Sequence, residues 1–281
     1  MSTDDLRINL TGLVTIECSN RRARSLTSPQ AQVAFARLVM ERAQGTNREQ
    51  LADTIWPEGL PNTWPSALRS IVSRVRGFLA DTAPSGAVGS LVSQGGRYFL
   101  RLPAEVRVDL EHAESAVTEA AEAFARSDHR AACRLAERAA SCLEGAFLAA
   151  HDGDWVIGVR ERVDALRLAA LEIASLASSA LSDRYRALRY ANTAIRHAPF
   201  RESAHRCRIA ALASAGNRAE ALGAYHELRE LLAEQLGVDP APEVQRMYID
   251  LLRSPEDSGH DWDPGRGPGH SASHVPRPQN V

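Results

Sequence analysis

The chain has 281 residues, 44% hydrophobic and 24% charged, with a formal charge of −2; single cores usually stop growing before this size, so two domains are expected. All 33 positive side chains are arginine, which excludes a P-loop lysine, a Schiff-base lysine and a Ser-Lys dyad; a GC-rich genome poor in lysine codons is the simplest cause. Residues 1–103 carry 12 Arg against 8 Asp/Glu, residues 104–253 carry 19 against 23 and the remaining tail 2 against 4, so only the first segment has the positive excess that suits a nucleic-acid surface.

Residues 6–18 alternate in two bursts, Leu6/Ile8/Leu10 and Val14/Ile16/Cys18, around Thr11-Gly12, as half-buried antiparallel strands do. A third short strand is expected near Arg24–Leu26. Ser28-Pro29 then opens a helix with Val33, Phe35, Leu38 and Val39 on its apolar face, stopping near Gly45. Two capping frames overlap next, Thr46 with Glu49 or Asn47 with Gln50, before a short helix that Pro57 ends. Thr63 is the expected N-cap of a third helix reaching Leu79. Past a turn at Pro84-Ser85-Gly86, the runs Val88–Ser93 and Arg97–Leu102 flank Gln94-Gly95-Gly96, which reads as a β-hairpin. Strands, three helices and a closing hairpin describe a winged helix-turn-helix over residues 1–103.

Residues 104–253 read as a mainly α segment. Helices are expected at about 109–126, 128–144, 155–181, 183–197, 201–215, 217–235 and 241–252. Ala187-Leu188 with Ala191 recurs 34 residues on as Ala221-Leu222 with Tyr225, the tetratricopeptide period, where small residues let paired helices approach. Residues 254–281 have few apolar residues and much Gly, Pro and His, the composition of a disordered tail. Cys18, Cys133, Cys142 and Cys207 form no C-x-x-C pair, so buried reduced thiols are expected. Neither an apolar signal core nor a membrane-length run occurs, so a cytoplasmic protein with no membrane contact is expected.

The third helix holds the main candidate site. Leu68, Ile71, Val72, Val75, Phe78 and Leu79 share one face, and the opposite face is a ridge of Ser66, Ser70, Ser73 and Gly77 flanked by Arg69, Arg74 and Arg76. Small residues let a helix sink into a major groove, and guanidinium forks reach guanine edges or phosphates. Arg69, in the N-terminal half, is the first choice for a base contact, and Arg74 and Arg76 for phosphates. On the hairpin, Arg97 and Arg101 suit backbone or minor-groove contact, whereas Tyr98 reads equally as contact or as core. The plain alternative is that these arginines only solvate an exposed face.

Enzyme chemistry has little support. The histidines of the helical stretches lack H-E-x-x-H spacing, no G-x-S-x-G elbow is present, and the cluster His151, Asp152, Asp154 reads as a loop capping the helix at 155. His260, His270 and His274 offer at most weak metal binding, so no cofactor, metal or catalytic residue is expected.

REQLADTIWP at 48–57, ALRSIVSRVRGFL at 67–79 and GGRYFL at 95–100 resemble the OmpR-like winged helix of the Streptomyces antibiotic regulatory protein family. Residues 205–252 resemble the end of that family's bacterial transcriptional activation domain, and Trp155 with Arg160 and Arg162 its entry helix. The resemblance implies a nucleoid-associated activator that binds direct repeats in promoter double-stranded DNA, self-associates there and recruits RNA polymerase holoenzyme, commonly at antibiotic biosynthesis genes. Trp64-Pro65 departs from the small residues more usual at the start of the recognition helix. The rival reading is a tetratricopeptide-like adaptor or effector-responsive regulator with weakened DNA binding.

Overall fold

The structure, a computed structural model, describes residues 6–18, 21–82 and 89–253. The turn expected at 84–86, the hairpin start at Val88 and the tail with its histidines lie outside the described residues.

The chain opens with β1 (Leu6–Asn9), β2 (Thr15–Cys18) and β3 (Arg21–Ser25). In β1, Leu6 and Ile8 turn inward and Arg7 outward, as the alternation requires. β1 and β2 pair antiparallel from Leu6 opposite Cys18 to Asn9 opposite Thr15. β3 begins three residues before the expected strand. Helix α1 (Pro29–Met40) buries Val33, Phe35, Leu38 and Val39. The strand β4 (Thr46–Asn47) follows, then α2 (Arg48–Ile55).

Asn47 is the N-cap, but its side-chain oxygen accepts the Glu49 amide at 2.8 Å rather than engaging Gln50 as the expected frame had it. Thr46 is instead fully buried, pairs with Tyr98 and donates its hydroxyl to Glu41 at 2.9 Å. Helix α3 (Trp64–Thr82) runs three residues past Leu79. The hairpin β5 (Ser90–Gln94) and β6 (Arg97–Arg101) turns at Gly95 and Gly96, whose φ values of +57° and +74° match the mirror-image turn that glycine favours. β4 joins this hairpin in a three-stranded sheet ordered β4-β6-β5.

The other sheet is ordered β3-β2-β1-β7, and its last strand, β7 (Arg107–Val108), lies parallel to β1 past residue 103. No strand was expected there, because two residues are too few to register a period. Helices α4 (Asp109–Ala125), α5 (His129–Cys142), α6 (Asp154–Ala180), α7 (Arg184–His197), α8 (Glu202–Ser214), α9 (Arg218–Leu236) and α10 (Pro242–Arg253) match their expected spans within two residues. Each of α4 to α10 packs on its predecessor or successor in turn. The repeated residues Ala187, Ala191, Ala221 and Tyr225 are buried at the seams between these helices, consistent with tetratricopeptide-like stacking.

A single hydrophobic cluster contains β1, β2, α1, α2 and α3 residues together with Phe147, Leu148, Val156, Val159 and Val163. The N-terminal half and the base of α6 thus share one core. Asp109 fastens the seam: one carboxylate oxygen accepts the amides of Leu10 and Thr11 and the Thr11 hydroxyl, each at 2.8 Å. Beside it the Gly12 amide donates to Ala146 at 2.9 Å, and Gly145 lies so close that an added Cβ would stand 2.3 Å from the Gly12 nitrogen. Arg37 of α1 rests over the Trp155 ring of α6, which in turn meets Phe147 edge-on.

No disulfide forms among the described residues, and burial pushes the Cys207 thiol up to about 12. No described helix is long and apolar enough to cross a membrane.

Candidate nucleic-acid interface

Six apolar residues of α3, Leu68, Ile71, Val72, Val75, Phe78 and Leu79, are buried against the N-terminal core. Burial of such side chains stabilises by about 1.5–3 kcal/mol each, against about 1 kcal/mol for an ordinary polar contact. That imbalance fixes the rotation of α3 about its own axis. Its opposite face, Ser66, Arg69, Ser70, Ser73, Arg74, Arg76 and Gly77, is exposed throughout.

Among the described residues, nothing beyond the helix's own backbone lies within 4 Å of where a Gly77 Cβ would stand, so the ridge is open there. Between Trp64 and Ala80 the helix carries three arginines and no carboxylate. Among the described residues, Arg69, Ser70 and Ser73 have no side-chain hydrogen bond or ion pair, so their donors face solvent. Ser66 donates its hydroxyl to the Thr63 carbonyl at 2.8 Å, tightening the first turn.

The two later arginines are partly engaged. Arg74 donates to the Ser28 hydroxyl at 3.2 Å, beside the start of α1. Arg76 donates through Nε to the Leu91 carbonyl of β5 at 3.1 Å, tying α3 to the hairpin. Each keeps further N–H groups for an outside acceptor.

On the hairpin, Arg97 is exposed but donates to the carbonyls of Gln44 and Gly45 at 2.9 and 3.3 Å. Arg101 points outward as well. Tyr98 does not: it is 7% exposed and part of the core. β6 alternates Arg97 out, Tyr98 in, Leu100 in and Arg101 out, and the pairing of Tyr98 with Thr46 turns the ring inward. Tyr98 is therefore withdrawn from the candidate contact surface.

Arg48 was not singled out from the sequence. Its guanidinium lies over the Trp64 ring, 5.1 Å from the centroid, and reaches the Pro65 carbonyl at 3.5 Å, while its buried Nε has no hydrogen-bond partner among the described residues. The unusual Trp64-Pro65 start of α3 is thus braced from α2, a cation–π contact between groups 16 positions apart that only folding assembles.

The remaining clusters read structurally. Arg160 donates to the carbonyls of Phe147, Leu148 and His151 and pairs with Asp152 at 3.1 Å, clamping the loop before α6. Gly153 is the N-cap of that helix and Asp154 sits in its first turn, where a negative charge favours the helix dipole. Arg162 pairs with Glu114 of α4. Among the described residues no group of three or more His, Cys, Asp and Glu is placed to hold a metal ion.

Residues 108–252 match the bacterial transcriptional activator domain family. The chain belongs to that family. Regulatory protein AfsR of Streptomyces griseus is 29% identical over 230 residues, covering 82% of this chain and 23% of AfsR. AfsR of Streptomyces coelicolor is 30% identical over 227 residues, covering 81% and 22%. The transcriptional regulator RedD of Streptomyces coelicolor is 25% identical over 249 residues, covering 88% and 70%. The chain thus carries a bacterial transcriptional activator domain and is similar to regulators of the Streptomyces antibiotic regulatory protein type, and it spans less than a quarter of the AfsR proteins' length. The structure of Mycobacterium tuberculosis EmbR in complex with a low-affinity phosphopeptide superposes with a TM-score of 0.80 at 22% identity, covering 89% of this chain and 65% of EmbR. That likeness establishes the shared fold, a winged helix followed by an all-α domain.

Proposed function

We propose that this chain is a sequence-specific, double-stranded DNA-binding activator. Its α3 enters the major groove, and its helical half recruits RNA polymerase holoenzyme at promoters of secondary-metabolite genes. The observation that carries the reading is the outward face of α3: a serine and glycine ridge, flanked by Arg69, Arg74 and Arg76, with no carboxylate from Trp64 to Ala80 and with the hairpin alongside. Small side chains allow close approach, and uncommitted guanidinium donors match guanine edges and phosphates.

In this reading Arg69 reads a base, while Arg74, Arg76 and Arg97 hold phosphates and, through their internal bonds, the relative positions of α1, α3 and the hairpin. Ser66, Ser70 and Ser73 line the approach. Head-to-tail protomers on direct repeats, in the cytoplasm at the nucleoid, are the arrangement its relatives' type implies. Footprinting of the purified chain across its genomic neighbourhood tests the reading together with the salt dependence of affinity. A specific complex loses affinity with a log–log slope of about −0.9 per neutralised phosphate. A protected direct repeat is the expected result; binding that is salt-insensitive, or equal on all sequences, would sink the proposal.

A further inference from the structure

Helix α7 carries a face that the helical packing leaves open. Arg184, Tyr185, Leu188, Arg189, Asn192 and Arg196 line a shallow groove of about 580 Å³. All but Leu188 are exposed, Tyr185 at 77%. Leu188 packs inward against the cluster that contains Leu251 near the end of α10.

The three guanidiniums are lightly engaged. Arg184 donates to Glu220 at 3.2 Å, Arg189 to the Tyr190 hydroxyl at 2.6 Å and Arg196 to the Thr193 hydroxyl at 2.8 Å. Each keeps most of its donors, and among the described residues Glu220 is the carboxylate bonded to them. A cationic groove with a bare phenol ring and an aliphatic floor suits an acidic strand that also carries an aromatic side chain.

The chain itself continues with that composition. Residues 256–263, Glu-Asp-Ser-Gly-His-Asp-Trp-Asp, bring four carboxylates and the Trp262 indole. The described helix that precedes them, α10, ends near the groove. Arg218, at the start of α9, donates to the carbonyls of Leu251 and Leu252 at 2.8 and 2.9 Å. Two residues along α9, Glu220 meets Arg184. The end of α10 and the Arg184 end of the groove therefore both flank the first turn of α9. Eight extended residues reach about 27 Å, enough to run along the 14 residues of α7, a helix about 21 Å long.

We propose that residues 256–263 dock along the α7 groove of their own chain, with Glu256 and Asp257 on Arg184 and Arg189 at the near end and with Asp261, Asp263 and the Trp262 indole on Arg196 at the far end. The short tether Ser254-Pro255 gives the segment an effective concentration on the order of millimolar, which makes up for the modest strength of exposed ion pairs. An outside acidic partner of this face has to displace the segment first. The docking is independent of the DNA-binding reading.

The test uses the full chain with 5-fluorotryptophan, the Trp262 fluorine line being assigned from Trp262→Phe. The line is expected away from its position in a synthetic peptide of residues 254–264. It should move onto that position in Arg189→Glu/Arg196→Glu, and in 1 M salt, where the screening length falls from about 10 Å to about 3 Å. Neutralising the segment with Glu256→Gln, Asp257→Asn, Asp261→Asn and Asp263→Asn should release it equally without touching α7, which covers the case of a misfolded arginine variant. A line already at the peptide position in the unaltered chain overturns the proposal, as does one that stays put in the neutralised segment. A line that moves with protein concentration overturns it in favour of docking on a second copy.

Discussion

At the residue scale, position along α3 separates two kinds of arginine. Arg69 has no partner among the described residues, so its removal costs chiefly outside contacts. Arg69→Ala should lose about 1–3 kcal/mol on specific sites and relax preference at one base pair, measured by titrating single-substitution operators; an equal loss on random DNA would make it a phosphate contact. Arg76→Ala should weaken all sequences alike and lower the salt slope by about one phosphate. Because Arg76 also holds Leu91, amide exchange in β5 should rise in the same variant, and unchanged exchange would show that bond to be dispensable.

Asp109 is the other residue with a defined job. Burial pushes its carboxyl above the ordinary carboxylate range, and the Thr11, Leu10 and Leu110 donors counter this. A native pKa above the unfolded one means that the folded chain binds more protons there. The contribution of this titration to stability is complete below the unfolded pKa and is lost as pH rises through the native one. The stability of the wild type minus that of Asp109→Asn should therefore fall as pH rises across the carboxylate range in urea titrations, and a rising difference would reverse the assignment. Asp109→Ala strands the Leu10 and Thr11 amides, each at a cost of about 1–3 kcal/mol at neutral pH.

At the element scale, the turn between β1 and β2 and the loop between α5 and α6 touch backbone to backbone at Gly12 and Gly145. Gly145→Ala forces the two apart, because backbone at 2.3 Å has no rotamer with which to yield. The expected result is a loss of stability on the scale of an overpacked core, about 1–3 kcal/mol, with faster amide exchange at Gly12. An unchanged melting temperature would mean that the loop relaxes freely. Helix α6 explains why this contact matters. Its 27 residues span about 40 Å, with Val156, Val159 and Val163 in the N-terminal core and Leu168, Leu171 and Ala174 in the helical half. It is one rigid member of both halves.

At the scale of the whole molecule, the shared core changes what a fragment can do. Cutting at residue 103 removes β7, Asp109 and the Phe147, Val156 and Val159 side chains that belong to the same core cluster as Leu10. A fragment of residues 1–103 should unfold at clearly lower urea than the same residues in the full chain, followed by the fluorescence of Trp56 and Trp64. An equal midpoint would show that the N-terminal half is stable alone. A shared core also gives a mechanical path from α3 through α1 to α6, because Phe35 of α1 meets Phe78 of α3 edge-on and Arg37 of α1 rests over the Trp155 ring of α6.

Local signals were sufficient where one element settles its own face. The helix spans, the Gly95-Gly96 turn and the apolar and small faces of α3 all follow from periods of 2 and 3.6 and from residues with special backbone freedom, so the amino-acid sequence determined them without help. The order of the strands, the parallel pairing of Arg107–Val108 with β1, the inward turn of Tyr98, the brace of Arg48 on Trp64 and the seam at Asp109 were decided by tertiary structure alone. Each joins residues far apart in the chain, and their pairing depends on which buried surfaces and unpaired amides are left over once the local elements have formed. Period and propensity carry no record of that remainder, so only the packed chain shows that the two halves share one core.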